Sequence, residues 1–220
     1  MRTVLLTLVL VAATSVDAAQ KSRVSDWTDK HDPHFRKYSK HYFGPNFDWR
    51  WFKAQAIAES GLNTNARSKS GARGIMQILP STYHEIQEEN PHMKDIDSPR
   101  WNIAAGIYYD RQLYKRWESP PVGEERLYFT FGSYNAGYTR IKKTLKKIGT
   151  PAVTWEHVES YMPGQTRHYI RRIRGLMNRE YEKHGSYFSV QPTRSAADTT
   201  SPSCWVPAMR LVTDSPLKSC

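Results

Sequence analysis

The sequence predicts an all-α fold, and three observations carry that prediction. Apolar residues recur at spacings of three and four through most of residues 45–184. Proline, serine and glycine bracket these runs where helix starts and stops are expected. No stretch of any length alternates apolar and polar residues with the period of a strand. With 220 residues, 39% hydrophobic content and seven tryptophans, the chain can bury one sizeable core with non-core ends to spare.

The first segment, MRTVLLTLVLVAATSVDAAQ, has Arg2, an apolar run from Val4 to Ala13, and small residues around Val16, Ala18 and Ala19. That is the layout of a secretory signal peptide over residues 1–18, with a cut after Ala18 or Ala19. The run is too short to span a bilayer comfortably, and no later segment resembles a membrane span. No cysteine lies near the cut, so lipid attachment there is not expected. The expectation is an exported protein of the periplasm or cell envelope.

The domain is expected over residues 19–184. DPHFRKYSKHYFG holds a short amphipathic helix. Asp48 is placed to cap the next one, FDWRWFKAQAIAES, in which Phe52, Ala56 and Glu59 share a face and Gly61 supplies the stop. The turn-rich loop LNTNARSKSGARG and the apolar stretch IMQILP follow, after which Ser81 or Thr82 can cap STYHEIQEE. Ser98-Pro99 opens a stronger helix through WNIAAGIYYDRQLYKRW, which stops before Pro120-Pro121. EERLYFTFGSYNAG and the basic TRIKKTLKKIG come next. A long closing helix, QTRHYIRRIRGLMNREYEKHG, puts Tyr169, Ile173, Leu176 and Met177 on one stripe. From Gly185 the composition turns to Ser, Thr, Pro and Ala without periodicity, so residues 185–220 read as a tail.

The chemistry narrows by elimination. Net charge is +11, from 32 Lys and Arg against 21 Asp and Glu, which favours an anionic partner: nucleic acid, an acidic membrane face or a cell-wall polymer. Export weakens the nucleic-acid reading. The runs at Lys142-Lys143, Lys146-Lys147 and Arg171-Arg172 read singly as solvated helix faces, and together favour wall association modestly. The eight histidines are scattered, with no HExxH and no helical pair beside a carboxylate, so no metal is expected, nor any cofactor. No GxSxG or phosphate-cradling loop is present. Cys204 and Cys220, both in the tail, can close a disulfide or stay free, and neither is placed for catalysis.

Glu59 stands out. It closes an apolar helix and is followed by small, polar, glycine-bearing residues, a setting that resists ionisation and suits a proton donor near neutral pH. Asp48, Glu85 and Asp110 read as carboxylates in ordinary helical or capping contexts.

Four blocks in order, ES at 59–60 with SKSGARG and MQILPST, then NIAAGIYYDRQL, SYNAG and VESYMPGQTRHYI, resemble the transglycosylase SLT domain of bacterial lytic transglycosylases. Ser133 stands where the family usually has alanine, and Gln165 where it usually has glutamate. FDWRWFKAQAIAES is most similar to the membrane-bound lytic transglycosylase F subgroup, without the N-terminal solute-binding domain expected there. The resemblance implies a lysozyme-like α-helical fold in a single domain. It implies non-hydrolytic cleavage of peptidoglycan glycan strands to 1,6-anhydro-muramyl ends. It makes Glu59 the acid and then the base, and Ser68 and Ser70 the serines near the substrate N-acetyl group or the carboxylate. Met76 (by its backbone) and Gln77 match sugar-contacting positions, Tyr134 and Asn135 a cleft tyrosine with its supporting asparagine, and Tyr169 a tyrosine close to the carboxylate. From the residues alone, Tyr134 and Tyr169 also read as core aromatics, and Asn135 with Gly137 as a helix cap. A monomer acting on glycan strands is expected, with no nucleic-acid partner and no membrane span, and a cell-envelope or secretion-machinery partner is left open. Two rivals remain, a hydrolytic lysozyme and a non-catalytic wall-binding or scaffold protein.

Overall fold

A computed structural model describes residues 27–117, 123–149 and 154–184. The segment expected to be a signal peptide, Pro120-Pro121, both cysteines and the expected tail from Gly185 lie outside those residues.

Helix α1, Asp32–Phe43, begins with Asp32 and Pro33 and carries Lys40 and His41 in its last turn, charges that complement the helix dipole at both ends. Its inner face buries Phe35 and Tyr38. Helix α2, Arg50–Ser60, is buried from Trp51 through Ile57, polar residues included, which makes it the central helix. Buried Lys53 is held by Asp32 of α1 at 2.5 Å, with its ammonium over the rings of Trp27 and Trp49. Asp48 stands one residue before the cap position. It accepts the Arg50 N–H at 3.0 Å and grips the Arg50 guanidinium, while Trp49 occupies the cap itself without a side-chain bond. Gly61, left-handed at φ 64°, stops α2 as the sequence predicts.

Residues 61–79 form an irregular loop pinned by two isolated antiparallel bridges, Arg67 with Arg73 and Arg73 with Ile78. Among the described residues there is no strand. Helix α3, Pro80–Glu89, starts earlier than the Ser81 or Thr82 cap predicts. Pro80 takes the first position, where its missing N–H would have no helical partner, and Leu79 precedes it. Helix α4, Pro99–Arg116, starts at the expected proline, although Ser98 makes no capping bond. Helix α5, Gly123–Ala136, is buried from Leu127 through Ser133. The basic helix α6, Tyr138–Ile148, buries Ile141 alone and lies on the outside. A four-residue helix α7, Trp155–Val158, and a 3-10 turn, Glu159–Tyr161, are too short for periodicity to reveal. Helix α8, Gly164–His184, buries Tyr169, Ile173, Leu176 and Met177 on the expected stripe.

Helix α1 packs on α4, α2 on α8, and α5 contacts α4, α6 and α8. Phe52, Ile57, Ile103, Phe131 and Ile173 fill the space between them. The described residues all fall within one compact unit, and none of their helices is long and apolar enough to cross a membrane.

Candidate active site

Glu59 sits in the last turn of α2, half-buried, where the packed helix meets the loop 61–79. Tyr169 of α8 is buried and donates its hydroxyl to Glu59 Oε1 at 2.6 Å. Burial raises the carboxyl from its ordinary 4.5 to about 7, against the opposing pull of the Tyr169 hydrogen bond and the nearby Arg172 guanidinium. The same environment, burial first and the Glu59 charge second, pushes the Tyr169 phenol well above 10, so it stays a donor. Arg172 also reaches the Ala58 carbonyl at 3.3 Å, fastening α8 to the end of α2.

The loop owes its shape to two close approaches. Gly74, at φ 76°, lies against the Asn102 side chain so tightly that a Cβ there would sit 2.5 Å from Nδ2. Gly106 of α4 faces Met76, where a Cβ would come within 2.8 Å of three side-chain carbons. Asn102 then clamps the loop from α4. Its Oδ1 accepts the Met76 N–H at 2.8 Å, and its Nδ2 donates to the Arg73 and Ile96 carbonyls at 3.0 and 2.9 Å. Ser60 adds a bond from its hydroxyl to the Ile75 carbonyl at 2.7 Å. Neither Asn102 nor the Ser60 hydroxyl was assigned a role from sequence. Their signal was present, since Asn102 opens the second family block.

Tyr134 of α5 reaches over this loop and donates to the Met76 carbonyl at 2.8 Å. It lies within electrostatic reach of Glu59, so Glu59, Tyr134, Tyr169 and the Met76 backbone converge. Asn135 acts between helices rather than as a simple cap: its Oδ1 accepts the Thr166 hydroxyl at 2.9 Å and so ties α5 to the turn of α8 before Tyr169. Gln77 holds a left-handed conformation at φ 49°, with its amide on the Gly74 carbonyl. Ser68 and Ser70 pair with each other at 2.9 Å, and Ser68 accepts the Ala72 N–H; neither hydroxyl bonds Glu59. Ser133 accepts the Trp117 indole N–H at 3.0 Å, which gives the hydroxyl at this alanine position a buried partner. Gln165 is exposed at the start of α8.

Asp110 corrects the sequence reading. It is not an ordinary helical carboxylate but is fully buried, with Gln55 Nε2 donating to its Oδ1 at 3.2 Å. Burial holds it well above the usual carboxylate range, and the Glu59 charge adds to this. Its spacing from Gly106 and Leu113 placed it on the inner stripe of α4, which was the available signal.

Beside the site runs a groove of about 710 Å³ lined by Tyr109, Arg116, Thr139, Arg140, Lys143 and Lys147 among others. It does not include Glu59. It meets the Glu59 neighbourhood through Tyr109, whose ring packs edge-on against Tyr134 at 5.4 Å. Among the described residues no group of His, Cys, Asp and Glu could hold a metal ion.

Known proteins are similar to this chain in sequence and in fold. The membrane-bound lytic murein transglycosylase F of Vibrio cholerae is 29% identical over 160 residues, covering 71% of this chain and 28% of its own. That of Shewanella woodyi is 30% identical over 146 residues, covering 64% and 29%. The chain thus spans under a third of the length of these relatives. An inactive mutant of lytic transglycosylase Slt from Pseudomonas aeruginosa superposes with a TM-score of 0.63 at 22% identity, covering 77% of this chain and 27% of that one. The 70 kDa soluble lytic transglycosylase of Escherichia coli does so with 0.63 at 21%, covering 78% and 28%. The fold is therefore the lysozyme-like helical one that the sequence predicts. The profile of the transglycosylase SLT domain matches residues 37–154, more than half of the sequence, and the chain belongs to that family.

Proposed function

We propose that this chain is an exported peptidoglycan lytic transglycosylase, cleaving the β-1,4 bond between N-acetylmuramic acid and N-acetylglucosamine with one carboxyl group. The observation that carries the reading is Glu59, a carboxyl poised at about 7 where a buried helix ends against an open loop. Such a group is a competent acid and a competent base at the same pH. The names of the relatives as murein transglycosylases support the substrate.

In the first step Glu59 gives its proton to the glycosidic oxygen as the C1–O bond breaks. The substrate's N-acetyl group stabilises the charge developing at C1. Glu59, now a carboxylate held by the Tyr169 hydroxyl, takes the proton of the muramyl C6 hydroxyl, whose oxygen bonds C1 and closes the 1,6-anhydro ring. The carboxyl is regenerated and no water is consumed. Ser68, Ser70, Gln77, Tyr134, Asn135 and the Met76 backbone shape the sugar sites around it. A hydrolase of the ordinary kind needs a second carboxylate at the cleft. Asp110, in electrostatic contact with Glu59, is fully buried and has no access to a water there, which favours the anhydro product.

The same reading assigns residues 1–18 to an export signal, 19–184 to the catalytic domain and 185–220 to a tail outside it. Mass spectrometry of products from purified wall sacculi tests the reaction. Anhydro-muramyl ends are expected, and Glu59→Gln should leave less than about a tenth of the turnover, since general acid–base catalysis contributes ~10²–10⁴-fold. Free reducing ends would establish hydrolysis instead. Failure of the native protein to clear a wall zymogram would establish a non-catalytic role.

A further inference from the structure

Behind Glu59 lies a buried polar pair that the steps above do not use. Gln55 is one turn before Glu59 on α2, Asp110 is on α4, and both are fully buried. One hydrogen bond joins them, Gln55 Nε2 to Asp110 Oδ1 at 3.2 Å. Two acceptors are left over, Gln55 Oε1 and Asp110 Oδ2, each buried and without a partner among the described residues. The titratable groups facing Asp110 are Glu59 from α2, Tyr134 from α5, Tyr169 from α8 and its own neighbour Tyr109. None of these is a cation. An ionised Asp110 would rest on one neutral hydrogen bond and leave both orphaned oxygens as they are, an arrangement that buried groups avoid. A single proton on Oδ2 resolves both. It turns one orphaned acceptor into a donor, and the matching acceptor is the orphaned oxygen of the same pair.

We propose that Asp110 is a positioning residue acting as a neutral carboxylic acid: its Oδ2–H donates to Gln55 Oε1 while its Oδ1 accepts from Gln55 Nε2, and this closed pair fixes the turn of α2 that presents Glu59. The proposal rests on the reading of Glu59 as the acid. The direction in which burial moves the Asp110 carboxyl agrees with it. Its use to the reaction is twofold. The pair holds the reacting carboxyl in register, and, being uncharged, it does not repel the Glu59 anion formed when the glycosidic oxygen takes its proton.

The test uses the full chain and four variants. Infrared spectroscopy of the native protein should show a protonated-carboxyl band that persists well above neutral pH and vanishes in Asp110→Asn. That variant reproduces the pair with an amide N–H and should rescue kcat, with the pH limb of Glu59 unmoved. Asp110→Leu, or Gln55→Met where the former does not fold, should lower kcat by about tenfold or more with KM little changed, as loss of alignment does. Absence of the band, or a Glu59 limb moved to lower pH in Asp110→Asn, would show an ionised Asp110 and overturn the proposal. Full kcat in a folded Asp110→Leu or Gln55→Met protein would overturn the positioning role. An active Glu59→Gln protein would instead sink the reading of Glu59 and leave the infrared result standing.

Discussion

Glu59 sits at about 7 because the fold removes water from it, and that placement has a stability consequence. Between the ordinary 4.5 and about 7 the folded chain keeps a proton that the unfolded chain has released. Stability from this group therefore falls as pH rises through that window and stays lowered above it. The shift is worth at most about 3 kcal/mol, less what solvent at the half-buried carboxyl screens. Glu59→Gln keeps an acceptor for Tyr169 and abolishes the titration. The variant should be more stable than the native protein by about 1–3 kcal/mol near pH 8 and indistinguishable near pH 4 in urea unfolding. Equal stability at both pH values would mean the carboxyl is not perturbed. The sequence marked Glu59 by its apolar approach and its glycine-bearing sequel. Its helical spacing could not bring Tyr169 to this carboxyl, because the two stand 110 residues apart; only the family resemblance pointed to that tyrosine.

At the scale of elements, the end of α2 that carries Glu59 keeps its setting only if the loop 61–79 stays fixed, and Asn102 of α4 clamps that loop. Asn102→Ala would leave the buried Met76 N–H and two carbonyls without their partner. A buried group left unsatisfied costs about 1–3 kcal/mol, so a loss of roughly 3 kcal/mol is expected. Urea unfolding should show the loss, and amide exchange should quicken across residues 61–79. Unchanged exchange there would mean that the bridges from Arg73 hold the loop without Asn102. Helix starts and stops such as Pro99 and Gly61 were legible because capping is decided within a few residues. The Ser81 or Thr82 cap was misplaced because Pro80 competes for the same turn and, lacking an N–H, belongs at its first position.

For the whole molecule, charge and extent are the issues. Setting aside residues 1–18 and 185–220, 28 Lys and Arg face 18 Asp and Glu, leaving +10 on the proposed domain. Part of that excess lines the groove through Arg116, Arg140, Lys143 and Lys147. Peptidoglycan carries stem-peptide carboxylates, so the excess should act as long-range attraction, screened over ~8 Å at physiological ionic strength. Rising salt should raise KM on soluble wall fragments and leave kcat nearly unchanged. A kcat falling as steeply as binding would place the charges in the bond-breaking step. A chain ending at Gly185 should still clear wall material, since Glu59, Tyr134 and Tyr169 all precede it. A folded but inactive product would show that the tail completes the cleft.

The sequence by itself determined the long helices, the family and the one carboxyl proposed to carry the chemistry. Spacing of apolar residues, prolines at first turns and a glycine after Ser60 act over a few residues, and short-range physics can be read from neighbours. Only the tertiary structure decided which polar residues meet. Asp110 looked ordinary because periodicity distinguishes inner from outer faces and says nothing about how dry the inner face is. Packing against α2 removed its water, and Gln55, 55 residues away, became its hydrogen-bond partner. Asn102 and Met76 likewise meet across 26 residues because Gly74 and Gly106 let the loop approach α4. A carboxyl's proton affinity depends on how much water remains and on which donors face it, and both follow from long-range packing rather than from the residues beside it in the chain.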